Sequence, residues 1–90
     1  MSINLYNINK KRQQIDSIDN QIALLLLERK KIVIDIATAK KKIGKTGYDN
    51  NRELFVFNNL KRICNSIDFL FLRPIFEMII LQSREFKKKI

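Results

Sequence analysis

Histidine is absent from this sequence, and cysteine, proline and glycine are scarce. Without histidine, the chain cannot form a histidine-ligated metal site or a catalytic triad with an imidazole base. The single cysteine, Cys64, excludes an internal disulfide bond and fits a reducing compartment. Two glycines and one proline leave room for long helices but little for a fold rich in β-turns.

Long apolar runs are also missing. Runs such as residues 22–27 and 69–72 are far shorter than the roughly 20 residues of a transmembrane helix. The N-terminal residues show no apolar core typical of a signal peptide. We therefore expect a cytoplasmic protein with no membrane partner.

Acidic residues are few: 9 Asp and Glu stand against 18 Lys and Arg, which gives a net charge of +9. Such an excess suggests an anionic partner, either nucleic acid, an acidic membrane surface or a small polyanion. Heavy use of Lys, Ile and Asn equally suggests compositional drift, with most lysines on solvated faces.

Hydrophobic residues make up 46% of the 90 residues, which is typical of one globular domain over residues 1–90.

The chain does contain a sustained helical pattern. Apolar side chains recur at alternating steps of three and four along residues 8–43, with Arg29 filling the one gap, at Ile15, Ile18, Ile22, Leu25, Ile32, Ile36 and Ala39. A helix of that span would be about 50 Å long, whereas a compact monomer of this size has a radius of gyration of about 12 Å. The helix must therefore pack on a second chain.

Turn and capping residues mark the end of this helix and the start of a second one. Gly44 suits the left-handed position just beyond a helix end. Asp49 is a good N-cap for a second helix over residues 50–65.

A third helix is expected over residues 69–88, capped by Ser66 or Asp68. Pro74 either kinks its first turns or marks a later start, because proline cannot donate the usual backbone hydrogen bond. The predicted fold is all-α, with three helices per chain, one of them very long, in an intertwined helical-bundle homodimer.

Two cations stand on the apolar stripe of the first helix. Arg29 and Lys40 are eleven residues apart, which places them within about 20° of one direction and about 16 Å apart along the axis. Val33 and Ile36 lie between them on the same face. Burying an unpaired cation costs several kcal/mol, so such residues persist where something anionic pairs with them. Taken singly, Arg29 could instead bridge to an acidic side chain, and Lys40 could reach solvent.

Polar residues of the later helices also have plain interpretations, since Arg52 and Glu53 could form a surface ion pair and Ser83 could be a packing residue. Together, however, five segments form a recognisable series: RQQIDSID (12–19), LLER (26–29), IATAK (36–40), YDNNRE (48–53) and IFEMIILQS (75–83). In order and spacing, this series resembles the all-helical chorismate mutases over residues 8–87.

The resemblance implies an active site shared between two chains. Arg12 of the partner subunit would bind one substrate carboxylate, and Arg29 would bind the other. Lys40 would lie beside the ether oxygen of the bond that breaks, and Glu53 would accept the ring hydroxyl of the substrate. The remaining positions would be Asp49 near that hydroxyl, Arg52 supporting Glu53 and the loop, Ser83 on a carboxylate, and Val33, Ile36 and Ile80 as apolar walls.

One position departs from the family pattern. Four residues beyond the serine, bacterial members usually carry Gln, which donates a second hydrogen bond to the ether oxygen. Some relatives carry Glu, which must be protonated to donate. This chain has Lys87 there. An ammonium also donates, but Lys87 belongs to a run of three lysines that could simply be solvated.

The chemistry of the implied reaction explains these residue types. Chorismate is a dianion, and its carboxylates match the planar fork of arginine. Its rearrangement to prephenate, a step in phenylalanine and tyrosine biosynthesis, is intramolecular. It requires positioning and preorganised electrostatics rather than a nucleophile, a metal or a cofactor. We therefore expect no cofactor and no metal.

Two other functions fit parts of the pattern. An isochorismate pyruvate-lyase on the same scaffold would share the cationic site. A non-enzymatic basic helical dimer that binds nucleic acid would explain the net charge, but its basic residues should lie on the solvated face. We therefore expect no nucleic-acid partner. Both a free-standing enzyme and one domain of a longer bifunctional chain are consistent with the sequence.

Overall fold

The computed structural model describes residues 4–45 and 49–90. These residues form α-helices α1 (Leu5–Lys42), α2 (Asn50–Ile63) and α3 (Ser66–Lys87), with no strand among them, which confirms the all-α prediction. Tyr48, the first residue of the YDNNRE segment, lies outside the described residues, as do Thr46 and Gly47.

Helix α1 begins three residues before the predicted start. The side chain of Asn4 accepts a hydrogen bond of 2.9 Å from the backbone N–H of Asn7. The carbonyl of Asn4 accepts from Ile8 at 3.0 Å. Asn4 therefore caps the helix, because its side chain satisfies one of the four backbone donors that a helix start leaves unpaired.

Gly44 ends α1 in the left-handed conformation, with φ of 76°, as the sequence predicted. The backbone N–H of Lys45 donates to the carbonyl of Lys40 at 2.8 Å, and that of Gly44 donates to Lys41 at 3.1 Å. These two bonds define a Schellman motif, which turns the chain back over the last turn of the helix. Nothing lies within 4 Å of a Cβ placed on Gly44, so the backbone conformation alone favours glycine there.

Helix α2 begins as predicted, because Asp49 is its N-cap and accepts from the backbone N–H of Arg52 at 2.9 Å. The helix ends at Ile63, two residues before the predicted end. The thiol of Cys64 donates to the carbonyl of Leu60 at 3.0 Å, so this half-buried cysteine closes the last turn.

The predicted start of α3 is wrong. Its N-cap is Asn65, whose side chain accepts from the backbone N–H of Asp68 at 2.8 Å, so neither Ser66 nor Asp68 is the cap. The helix runs from Ser66 straight through Pro74, which lies inside it rather than at its start. An interior proline gives up one backbone hydrogen bond, and the helix continues on both sides of it.

The chain divides into two compact units, one ending at Ile32 and the other beginning at Val33. The first contains the N-terminal part of α1, which has no buried residue. In the second, α2 packs on α3, and the buried apolar side chains are Leu60 and Ile80. This packing places polar side chains of α2 next to polar side chains of α3.

No helix within residues 4–45 and 49–90 is both long enough and apolar enough to cross a membrane.

Candidate active site

A cleft of about 170 Å³ opens in the second unit, beside the C-terminal ends of α1 and α3. Its lining consists of four lysines and three apolar residues: Lys40, Lys41, Lys45, Lys87, Ile36, Ala37 and Ile90. Lys40 and Lys87 are far apart in the sequence, and the fold brings both to one space. Lys45 reaches the cleft because the turn at Gly44 folds it back.

The cleft is strongly cationic. No acidic side chain belongs to its described lining. The backbone oxygen of Ile90 accepts a hydrogen bond from the Lys41 ammonium at 2.7 Å. The C-terminal ends of two helices contribute partial negative charge, which favours lysines at this position. Neither the Lys40 nor the Lys87 ammonium is hydrogen-bonded or ion-paired to a residue in the described part of the chain. Both are therefore available to a small anion.

Outside the lining of the cleft, a salt bridge joins α2 to α3. Arg84 donates through Nε to Oε2 of Glu53 at 3.3 Å, and through Nη2 to Oε1 of the same carboxylate. The two side chains are only 33% and 21% exposed. A two-pronged arginine–carboxylate contact fixes the orientation of the carboxylate as well as its position.

Arg52 makes a side-chain contact different from the one expected. Arg52 was expected to support Glu53, but its guanidinium lies over the ring of Phe55, 5.0 Å from the centroid. Only its backbone N–H serves the loop, by donating to Asp49. The sequence did contain a signal for Arg84, because Ile80, Ser83, Arg84 and Lys87 recur at the spacing of one helix face.

Ser83 is buried, and its hydroxyl donates to the carbonyl of Ile79 at 2.9 Å. Ile80, about two turns before the cleft residue Lys87 on α3, is buried as well. Of the three expected apolar walls, Ile36 lines the cleft, while Val33 and Ile80 do not belong to its lining. The structure thus places Lys40, Lys87 and Ile36 in one space.

The two arginines expected to bind carboxylates lie in the first unit, on the part of α1 before Val33. Arg12 is exposed, and Arg29 is half-buried. They are 17 residues apart, which corresponds to about 26 Å along the helix axis. That distance is far greater than the separation of two carboxylates in one small molecule.

Comparison with known proteins identifies the family. Residues 11–88 match the family model of type II chorismate mutases. A chorismate mutase of Methanocaldococcus jannaschii is 29% identical over 80 residues, which cover 87% of this chain and 81% of that protein. A bifunctional chorismate mutase/prephenate dehydratase of Buchnera aphidicola subsp. Schizaphis graminum is 32% identical over 81 residues, or 88% of this chain and 21% of that protein. No solved structure matches significantly. The predicted resemblance is confirmed: the chain belongs to the type II chorismate mutase family and is an isomerase.

Proposed function

We propose that this chain converts chorismate to prephenate in the cytoplasm, as a single mutase domain over residues 1–90 that works in a homodimer. The observation that carries the proposal is the cleft in which Lys40 and Lys87 lie together without an acidic neighbour in its described lining. A cationic, partly apolar cleft suits a small carboxylate with an apolar ring.

The two lysines would act on the bond that breaks. The rearrangement breaks a C–O bond and forms a C–C bond within one molecule, so the protein need supply neither a nucleophile nor a proton. Negative charge develops on the ether oxygen as its bond to carbon lengthens. Ammonium groups of Lys40 and Lys87, held in place before the reaction, would stabilise that charge without reorganisation.

The remaining side chains would hold the substrate. Arg29 would bind one carboxylate and Arg12 of the partner subunit the other. Glu53 would accept the ring hydroxyl at the end of α2 that Asp49 caps. Ser83 would contact a carboxylate after giving up its bond to Ile79. The apolar walls would be Val33, Ile36 and Ile80. These side chains would hold chorismate in the compact conformer that reacts. The energy of binding would in this way raise the rate of the rearrangement.

The exposed apolar seam of α1 supports the homodimer. In the single chain, Ile15, Ile18 and Ile22 are each about half exposed, although their spacing is that of a coiled-coil seam. Soluble proteins rarely leave a contiguous apolar surface of this kind uncovered. A second α1 with the same seam would cover it.

Turnover of chorismate tests the proposal. We expect the purified protein to consume chorismate and release prephenate, as followed by the loss of chorismate absorbance, and to run as a dimer in light scattering at micromolar concentration. Isochorismate in parallel should yield no pyruvate, and a gel shift at physiological salt should show no nucleic-acid complex. Release of pyruvate without prephenate would identify the lyase instead. A stable folded monomer would contradict the shared site.

Replacing Lys87 by alanine should lower kcat by roughly ten- to a thousandfold, because removing one donor to a developing oxyanion costs up to about a thousandfold in rate. Lys87→Gln should remain an active enzyme, because an amide also donates. Initial rates at saturating chorismate measure both.

The matched control is Lys88→Ala. Lys88 belongs to the same run of lysines, but its side chain is more than half exposed and pairs with Glu85 at 3.2 Å. It should retain the activity of the parent. Equal rates for Lys87→Ala and Lys88→Ala would mean that Lys87 is merely solvated.

A further inference from the structure

The ion pair of Arg84 with Glu53 differs from two ion pairs along α3. Arg73–Glu77 and Lys88–Glu85 are local pairs on α3, with side chains more than half exposed. Arg84 and Glu53 instead join two helices across 31 residues of sequence, and both are largely shielded from solvent. An exposed local pair contributes little, whereas a shielded two-pronged pair fixes geometry.

Glu53 keeps capacity for a further donor. A carboxylate offers about four lone-pair sites on its two oxygens, and Arg84 occupies one on each oxygen. A hydroxyl can therefore donate to Glu53 while Arg84 stays in place. The arginine also directs the carboxylate, because its planar fork donates to both oxygens at once.

The position of Arg84 places this pair beside the proposed machinery. On α3 it follows Ser83 directly and precedes Lys87 by three residues, which is the spacing of one helix face. Glu53 lies in the first turn of α2, next to the capping residue Asp49. A movement of the Glu53 side chain would shift the group that is proposed to contact the substrate hydroxyl.

We propose that Arg84 is a positioning residue, which holds the Glu53 carboxylate in the orientation that accepts the ring hydroxyl of chorismate. This inference rests on the proposed function. It makes Arg84 a determinant of specificity for the hydroxylated substrate, since a site built to bind a hydroxyl discriminates against an analogue without it.

The test compares chorismate with an analogue that lacks the ring hydroxyl. Both are dianions, so a general change in electrostatic attraction cancels in the ratio of their kcat/KM values. We expect Arg84→Met to lower that ratio roughly tenfold, the scale of one hydrogen bond to a charged group. Glu53→Gln should lower it similarly, and the double variant should lower it no further, because the two residues act as one unit.

Two further variants separate positioning from folding. Arg84→Lys keeps the charge and one donor, so it should retain a ratio between those of the parent and Arg84→Met, even where the methionine variant is poorly folded. Arg73→Met is the matched control, since it breaks an exposed pair on the same helix and should leave the ratio unchanged. Thermal unfolding of each variant measures the structural contribution of the arginine.

Each contrary outcome has its own meaning. If the parent consumes neither substrate, the proposed function fails and this inference fails with it. If the parent consumes chorismate and the analogue equally well, Glu53 does not recognise the ring hydroxyl. The role proposed for Arg84 is then overturned, while mutase activity stands. If the parent prefers chorismate and folded Arg84→Met keeps the full preference, Arg84 only links α2 to α3.

Discussion

Replacing Lys40 by alanine is expected to lower kcat by about a thousandfold while the protein remains folded. Lys40 lines the cleft together with Lys87, and its ammonium is proposed to stabilise charge on the ether oxygen. Removing a preorganised donor from a developing oxyanion costs on the order of a hundred- to a thousandfold in rate. The upper end applies here, because Lys40 carries a full charge.

Stability should not fall with activity. The Lys40 ammonium shares its cleft with Lys41, Lys45 and Lys87, and like charges in one place repel. Alanine is also the best helix former. We therefore expect the thermal midpoint of Lys40→Ala, measured by circular dichroism, to equal or exceed that of the parent.

Lys42→Ala is the control for this variant. Lys42 lies in the same run of lysines at the end of α1, but it is exposed and does not line the cleft. Its kcat should be that of the parent. A rate for Lys40→Ala close to that of Lys42→Ala would show that the cleft is not the place where the bond breaks.

The helix ends show how far the sequence predicts this fold. Gly44 and Asp49 were assigned correctly, because each end depends on hydrogen bonds within a few residues. The start of α3 was not, since three capable capping residues, Asn65, Ser66 and Asp68, follow one another closely. The bond from Asp68 to Asn65 decides among them, and residue type alone cannot.

In the candidate site, too, features within one helix can be predicted from the sequence, whereas contacts between helices cannot. Arg29 and Lys40 of α1 could be predicted as site residues because they interrupt an apolar repeat within one helix. The contact of Arg84 with Glu53 was not recognised, since it depends on how α2 packs against α3. Arg52, which is next to Glu53 in the sequence, was predicted to support it. Neighbouring residues on a helix point in different directions, and Arg52 lies over Phe55.

Mixing two inactive variants is expected to restore activity. Arg12→Ala and Arg29→Ala should each lose at least a hundredfold in kcat/KM, because each would remove the two-pronged contact proposed for one substrate carboxylate. Within one chain these arginines are about 26 Å apart along α1, too far to bind one small dianion. If each site takes Arg29 from one chain and Arg12 from the other, a hybrid dimer has one complete site and one site with neither arginine.

The size of the recovery follows from random pairing of the chains. Equal amounts of the two variants, unfolded and refolded together, give hybrids as about half of all dimers. Since half of the sites in a hybrid are complete, about a quarter of all sites, and of the parent activity, should return. The variants refolded separately should stay inactive.

A second mixture distinguishes sites shared between chains from sites within one chain. The Arg12→Ala/Arg29→Ala double variant is refolded with an equal amount of parent. With shared sites, every hybrid site lacks one arginine, so only parent dimers are active and about a quarter of the sites function. With both arginines from one chain, about half would function, and the mixture of single variants would recover nothing. Recovery of a quarter in both mixtures therefore requires Arg12 and Arg29 to act across the dimer.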